Sequence, residues 1–318
     1  MRKKILIVAA GGGHTGYGHS LSRRLHEKGV KLYFLVPKGD NLSAERLGEM
    51  GPVRFLTKPL EPKTPSHMFF QGFIQALCES IKLINQYYDA IVCMGSNFCI
   101  APSIVAMLKR IPIVNVESPV RFVKASKTAR LLQPISTVTA LHWPEQKRLL
   151  NGTVVGPMLP TPEIIPWDGD YILVTGGSFG HKLLFDTISQ SDIENVVLQT
   201  GPIAPAPYVE GHPEWEVFQY STNFHEYIAG SRVVVTHYGS TIIEALVYGK
   251  PVVITPNPEW TRTAGMDDAR YMAKRVNAIL VPNITVSNLV EAIREAEKRK
   301  PPSYINGCIK LADIILKL

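Results

Sequence analysis

Six apolar residues, Ile5 to Ala10, open the chain and stop at three glycines, Gly11 to Gly13. The same unbroken apolar grain recurs in KILIVAA, KLYFLVP, AIVCMG, IPIVNVE and TVTALHW. Runs that do not alternate with polar residues read as strands covered on both faces, the pattern of a parallel sheet. Between them GYGHSLSRRLHEKG, HMFFQGFIQALCESIKLINQYY and APSIVAMLKR read as helices. Strand and helix in alternation predict a doubly wound α/β unit. GPMLPTPEIIPWDGD, rich in proline and glycine, reads as a linker. After it the alternation restarts, with strands at YILVTGG, NVVLQTG, WEVFQY, RVVVTHYG, PVVITP and AILVP. Helices fall at HKLLFDTIS, TNFHEYIAG, STIIEALVYG, MDDARYMAKRV and VSNLVEAIREAEKR, and SYINGCIKLADIILKL is a last amphipathic helix. The expected division is residues 1–157 and 158–302, with 303–318 packing back on the first domain. Two doubly wound, Rossmann-like domains facing a cleft place ligands at strand carboxyl ends.

At 318 residues there is chain enough for two cores. A net charge of +7 favours an anionic partner. The excess is spread out and no nucleic-acid motif appears, so nucleic acid is not an expected partner. Cys78, Cys93, Cys99 and Cys308 form no C-x-x-C pair and read as core thiols of a reducing compartment. Ala90 to Leu108 carries no formal charge and has membrane-span length, but Gly95, Ser96, Asn97 and Pro102 break it into strand, turn and helix. No transmembrane helix is expected, and any membrane contact is peripheral.

The motifs lie at the predicted strand ends. In GGGHTGYGHS, glycines let backbone N–H groups approach an anion and the next helix offers its positive end. FLVPKGD puts Lys38 before Asp40 with no clear acidic residue ending the strand, which argues against NAD. His14 reads equally as a site residue or a turn histidine. Glu117, in NVESPVRF, is a candidate base or a loop glutamate paired with Arg121. Arg121, Lys124, Lys127 and Arg130, three apart, fall on one helical face suited to solvent or to anionic lipid. VTGGSFGHK repeats the glycine turn at Gly176 and Gly177. THYGSTIIEALVYGKPVVITP delivers His237, then Gly239 and Ser240 at a helix start; Thr241 and Glu244 also have capping-box spacing. Asp168 and Asp170 form a D-x-D in a turn without histidine or cysteine neighbours, so no metal is expected.

FQYSTNFHEYIAGSRVVVTHYGSTIIEALVYGKPVVITP is similar to the donor half of GT-B glycosyltransferases that use UDP-GlcNAc. GGGHT, VES and HWPE resemble the membrane-recruiting half of the two-subunit enzyme that makes lipid-linked chitobiose. Both halves in one chain suggest an archaeal-type fusion, and bacterial peptidoglycan GlcNAc transferases are a more distant match. The resemblance implies a GT-B fold and inverting transfer of GlcNAc to a polyprenyl- or dolichyl-pyrophosphate-linked GlcNAc for N-glycan assembly. It also implies a peripheral enzyme at the cytoplasmic membrane face that needs neither cofactor nor metal. Carried onto this sequence, it puts Gly12, Gly13, His14, Thr15, Ser118 and Arg121 at the acceptor, with His14 or Glu117 as the base. It puts Gly176, Gly177, Ser178, His237, Gly239, Ser240, Thr241, Glu244 and Asp268 at the donor, Glu244 on the ribose. One departure stands out: Ala269 aligns where relatives carry a sugar-reading glutamine. Two other readings remain: a UDP-GlcNAc 2-epimerase, which leaves VES and HWPE unexplained, and a non-catalytic membrane scaffold, which leaves the donor half unexplained.

Overall fold

A computed structural model describes residues 2–60, 65–85, 87–259 and 264–318. The chain forms two compact units, Met1–Pro160 with Tyr304–Leu318, and Thr161–Ser303.

The first unit holds β1 (Lys4–Val8), β2 (Lys31–Pro37), β3 (Val53–Leu56), β4 (Ala90–Cys93), β5 (Ile113–Val116), β6 (Val138–Leu141) and β7 (Thr153–Val154). They form one sheet in the order β3-β2-β1-β4-β5-β6-β7, every pair parallel. The helices are α1 (Gly13–Glu27), α2 (Asn41–Gly48), α3 (Phe69–Leu83), α4 (Ile100–Leu108) and α5 (Lys127–Leu132). The uniform apolar character of β1 has a direct cause. Ile5, Ile7 and Ala9 enter one core with Leu21 and Leu25 of α1, while Leu6, Val8 and Ala10 enter another with Ala76 of α3 and Val105 of α4. Strand side chains alternate faces, and here both faces are covered.

The second unit repeats the plan. Its strands β8 (Ile172–Thr175), β9 (Val196–Gln199), β10 (Glu216–Phe218), β11 (Val233–Thr236), β12 (Val252–Ile254) and β13 (Ile279–Leu280) run β10-β9-β8-β11-β12-β13, again all parallel. Its helices are α6 (Lys182–Ile188), α7 (Ala206–Gly211), α8 (Phe224–Gly230), α9 (Thr241–Val247), α10 (Met266–Val276) and α11 (Val286–Ala296).

The last helix, α12 (Gly307–Lys317), belongs to the first unit. Cys308, Leu311, Ala312 and Ile315 are fully buried in the α1-side core. Its start is fastened by Asn306, whose amide donates to Leu159 O at 2.7 Å while its oxygen accepts from Leu159 N at 3.2 Å. Gly307 is needed there, because a Cβ would lie 2.2 Å from Gly156 O.

Several expectations change. Arg121 to Ser126 is not helical; α5 begins only at Lys127, with Ser126 Oγ accepting from Ala129 N at 3.1 Å. The four basic residues therefore share no helical face. The first-unit helix HMFFQGFIQALCESIKLINQYY stops at Leu83, and its Gln86 lies outside the described residues. Cys78 is exposed on α3, not in the core. The apolar run from Ala90 is broken at Gly95 and Ser96, with φ of 98° and 70°, and no helix among the described residues is long and apolar enough to cross a membrane.

Leu311→Ala removes a fully buried side chain at the α1–α12 seam. It is expected to cost about 2–5 kcal/mol, read as a lower urea midpoint. An unchanged midpoint would contradict this packing.

Candidate functional site

In each sheet the strand order reverses direction between the first strand and the fourth, β1/β4 and β8/β11. Connections leave these neighbours on opposite faces and open a crevice at their carboxyl ends. The glycine turns sit there in both units.

In the first unit, Gly11 and Gly12 adopt φ of 86° and 53° and lead into α1, whose N-cap Gly12 makes no side-chain cap bond. A Cβ on Gly11 would come 2.8 Å from Asp40 Oδ2, so the turn requires glycine. His14, in the first turn of α1, reaches across to the strand beyond the crevice. Its Nδ1 lies 2.7 Å from Met94 O, just past β4. A ring nitrogen facing a carbonyl carries the proton, which leaves Nε2 as the acceptor. Burial holds the His14 pKa below 6.5; the Met94 carbonyl opposes this and the Lys58 charge adds to it. The ring is therefore neutral at pH 7. Gly95 lets the β4 turn lie against it, since a Cβ would stand 3.0 Å from the imidazole.

Thr15, expected at the acceptor, is 3% exposed and bonds Ser43 Oγ at 2.8 Å. Ser43 in turn donates from N and Oγ to the two oxygens of Asp40, at 3.0 and 2.7 Å. Thr15 thus joins α1 to α2 through Ser43.

Glu117 is 1% exposed. Its Oε1 accepts from Ser118 N at 2.6 Å and its Oε2 from Ser126 N at 2.8 Å. Burial raises its pKa, while these amides and Arg121 oppose the rise. With both oxygens closing the 118–126 loop, Glu117 is a loop fastener and poorly placed to take a substrate proton. HWPE has a matching explanation. Gln146, fully buried, accepts through Oε1 from His142 N and Trp143 N at 2.7 and 3.2 Å. Its Nε2 donates to Ser118 O and Arg121 O at 2.8 and 2.9 Å. Trp143 Nε1 donates to Pro119 O at 2.8 Å. One amide with every valence filled ties the two motifs together, leaving Ser118 and Arg121 partly exposed. Sequence reading passed over Gln146; the signal was a polar residue two places inside a short proline-started helix, where solvent is absent.

In the second unit, Thr175 Oγ1 ends β8 by donating to Gln199 Oε1 at 2.6 Å and accepting from Gly177 N at 2.9 Å. Gly176 folds so close to Gly180 that a Cβ would come 2.3 Å from its carbonyl carbon. His237, 6% exposed, stands between the two glycine turns: Cβ atoms on Gly177 and Gly239 would lie 2.8 and 2.5 Å from its ring. Burial takes its pKa to about 4, with His181 adding to the shift. Ser178 is exposed, and Gly239 and Ser240 are half-exposed. The N-cap of α9 is Ser240 and makes no side-chain bond; Thr241 is buried within the helix and the half-exposed Glu244 lies in its first turn. The capping-box reading of Thr241 and Glu244 is therefore not realised. Asp268, expected at the donor, is 5% exposed and accepts from Gly265 N at 3.0 Å, so it caps α10. Ala269 is fully buried, which turns the aligned glutamine position into the core.

Comparison with known proteins fits these features. Residues 171–306 match the Glycosyltransferase family 28 C-terminal domain. The chain is 26% identical, over 82% of its length and 78% of the relative's, to the UDP-N-acetylglucosamine–N-acetylmuramyl-(pentapeptide) pyrophosphoryl-undecaprenol N-acetylglucosamine transferase of Protochlamydia amoebophila. The same enzyme of Lawsonia intracellularis is 25% identical over 92% of this chain and 88% of its own. Among solved structures, the chain is similar to MurG of Acinetobacter baumannii, with a TM-score of 0.71 at 17% identity over the whole of both chains. It is similar also to the UDP-GlcNAc 2-epimerase of Methanocaldococcus jannaschii, with a TM-score of 0.68 at 14% identity over 99% of both. The fold is GT-B, two parallel-sheet Rossmann-like units.

Four further histidines share a common burden: His19, His142, His181 and His237 are each held at about 4, chiefly by burial. A folded pKa below the unfolded 6.5 gives stability that is present above 6.5 and lost as pH falls towards 4. Unfolding within that window takes up roughly four protons. Thermal melts should show a steady Tm above pH 6.5 and a steep fall below it. A Tm indifferent to pH across the window would contradict the neutral buried rings.

Proposed function

We propose that this protein transfers N-acetylglucosamine from UDP-GlcNAc to a sugar carried on a lipid pyrophosphate, inverting the anomeric carbon. The observation that carries this is the His14 geometry: a neutral imidazole with Nδ1 fixed on Met94 O and Nε2 left as acceptor beside a glycine turn. Support comes from the curated relatives, which are named as GlcNAc transferases.

The acceptor hydroxyl gives its proton to His14 Nε2 as its oxygen bonds the anomeric carbon. The bond from that carbon to the UDP β-phosphate oxygen breaks, and UDP leaves with the electron pair. Backbone amides at Gly239 and Ser240 stabilise the departing charge, the role that fixed N–H groups play at developing anions. Glu244 takes the ribose. A direct displacement turns the α-linked donor into a β-glycoside, and no metal is needed for it.

For the acceptor, the reading is a GlcNAc-pyrophosphate lipid yielding lipid-linked chitobiose, supported by the resemblance of VES and HWPE to the chitobiose-forming enzyme. The relatives' N-acetylmuramyl-pentapeptide lipid is the competing acceptor. Membrane contact is peripheral. Phe70, Ile74 and Ile81 expose 71%, 44% and 53% along one side of α3, beside Met68 at 45%.

Acceptor-dependent UDP release tests the reaction. His14→Ala should lower kcat by about 10²–10⁴-fold, whereas Glu117→Gln should stay within about tenfold of the parent. The reverse order would assign the base to Glu117. Loss of UDP-GlcNAc without acceptor, giving an isomeric UDP sugar, would indicate the epimerase instead. In vesicle co-sedimentation, Phe70→Ser should weaken binding by roughly ten- to hundredfold, the value of one fully buried aromatic side chain. Unaltered sedimentation would remove α3 from the membrane contact.

A further inference from the structure

Lys58 was not singled out by any motif. It follows β3 in LTKPL, and its backbone is pinned on both sides. Thr57 donates from N and Oγ1 to Glu79, at 2.8 and 3.0 Å. Leu60 exchanges two bonds with the Asn97 amide, accepting at 3.0 Å and donating at 3.2 Å. Asn97 belongs to the turn after β4, the turn that also fixes His14 through Met94 O. A single turn thus sets both the histidine and the segment bearing Lys58.

The half-buried Lys58 side chain runs to the glycine turn, where Nζ donates to Ala10 O at 3.3 Å, one residue before Gly11. Its charge is felt at the imidazole, where it helps keep His14 neutral. A cation, a turn of two positive-φ glycines and the uncapped start of a fifteen-residue helix therefore meet within one stretch of surface. Lysine serves phosphate as a strongly hydrated point charge on a flexible stem, suited to an anion that arrives from solvent.

We propose that Lys58 binds the pyrophosphate of the lipid-linked acceptor and so positions the sugar hydroxyl at His14 Nε2. The assignment rests on the transferase reading above. Lys58 is a positioning residue: it holds the phosphate and takes no proton in the reaction.

The test uses the full-length protein and Lys58→Met, which keeps the aliphatic stem and deletes the charge. The acceptor KM should rise by at least about tenfold with kcat and the UDP-GlcNAc KM little changed. Inorganic pyrophosphate, competing with acceptor, should lose potency by a similar factor. Lys58→Arg should restore most of both. The acceptor KM of the parent should also climb with salt more steeply than that of Lys58→Met. An unchanged acceptor KM and pyrophosphate potency in Lys58→Met would overturn the assignment while leaving the transferase reading intact. So would a parallel loss of kcat, both KM values and Tm that Lys58→Arg fails to rescue, which is the signature of a strand-end brace. A parent protein with no acceptor-dependent transfer would overturn both.

Discussion

Parallel pairing is the constraint from which the rest follows. Each of the eleven strand pairings described is parallel, so every strand is followed by a crossover and delivers its carboxyl end to one edge of its sheet. Where the winding reverses, two neighbouring strands end level. Val8 pairs with Cys93 in one unit, and Thr175 with Thr236 in the other. Their turns lie side by side at that edge, with positive-φ glycines at Gly11, Gly12 and Gly95 in one unit and at Gly177 in the other. Chemistry at this edge needs glycine for close approach and one side chain to bridge the gap.

Both units meet that need with a histidine, from opposite sides of the crevice. His14 comes from the turn after the first strand and bonds the turn after the fourth. His237 comes from the turn after the fourth and packs against Gly177 in the turn after the first. Burial keeps both neutral. Neutrality lets each ring fill the space between two glycine turns without a buried charge.

The plan of the fold was legible because covered parallel strands have no polar face, so the apolar runs stood out, and glycines marked their ends. The candidate site was legible only where one residue type answers one need, as Gly11 and Gly12 do for positive φ. Residues with two possible uses were not resolved by sequence. Glu117 and Asp268 carry carboxylates suited to substrates, but each accepts from backbone amides and braces its own loop or helix. Thr15 is spent on Ser43. Such choices depend on where a backbone N–H happens to end, which spacing does not encode. Gln146 and Lys58 were missed for the opposite reason. Gln146 holds its own helix start through His142 N and Trp143 N, but its other partners, Ser118 O and Arg121 O, like the Ala10 O partner of Lys58, lie in loops distant in sequence.

In the proposed reaction a sugar passes from a UDP donor to the hydroxyl of a sugar carried on a lipid pyrophosphate. Mass and anomeric configuration of the product, from GlcNAc-pyrophosphate lipid with UDP-GlcNAc in the presence of EDTA, test it most directly. The expected product is a lipid heavier by one N-acetylhexosamine in β-linkage. Unchanged lipid in such a reaction, with the muramyl-pentapeptide lipid also unmodified, would contradict it.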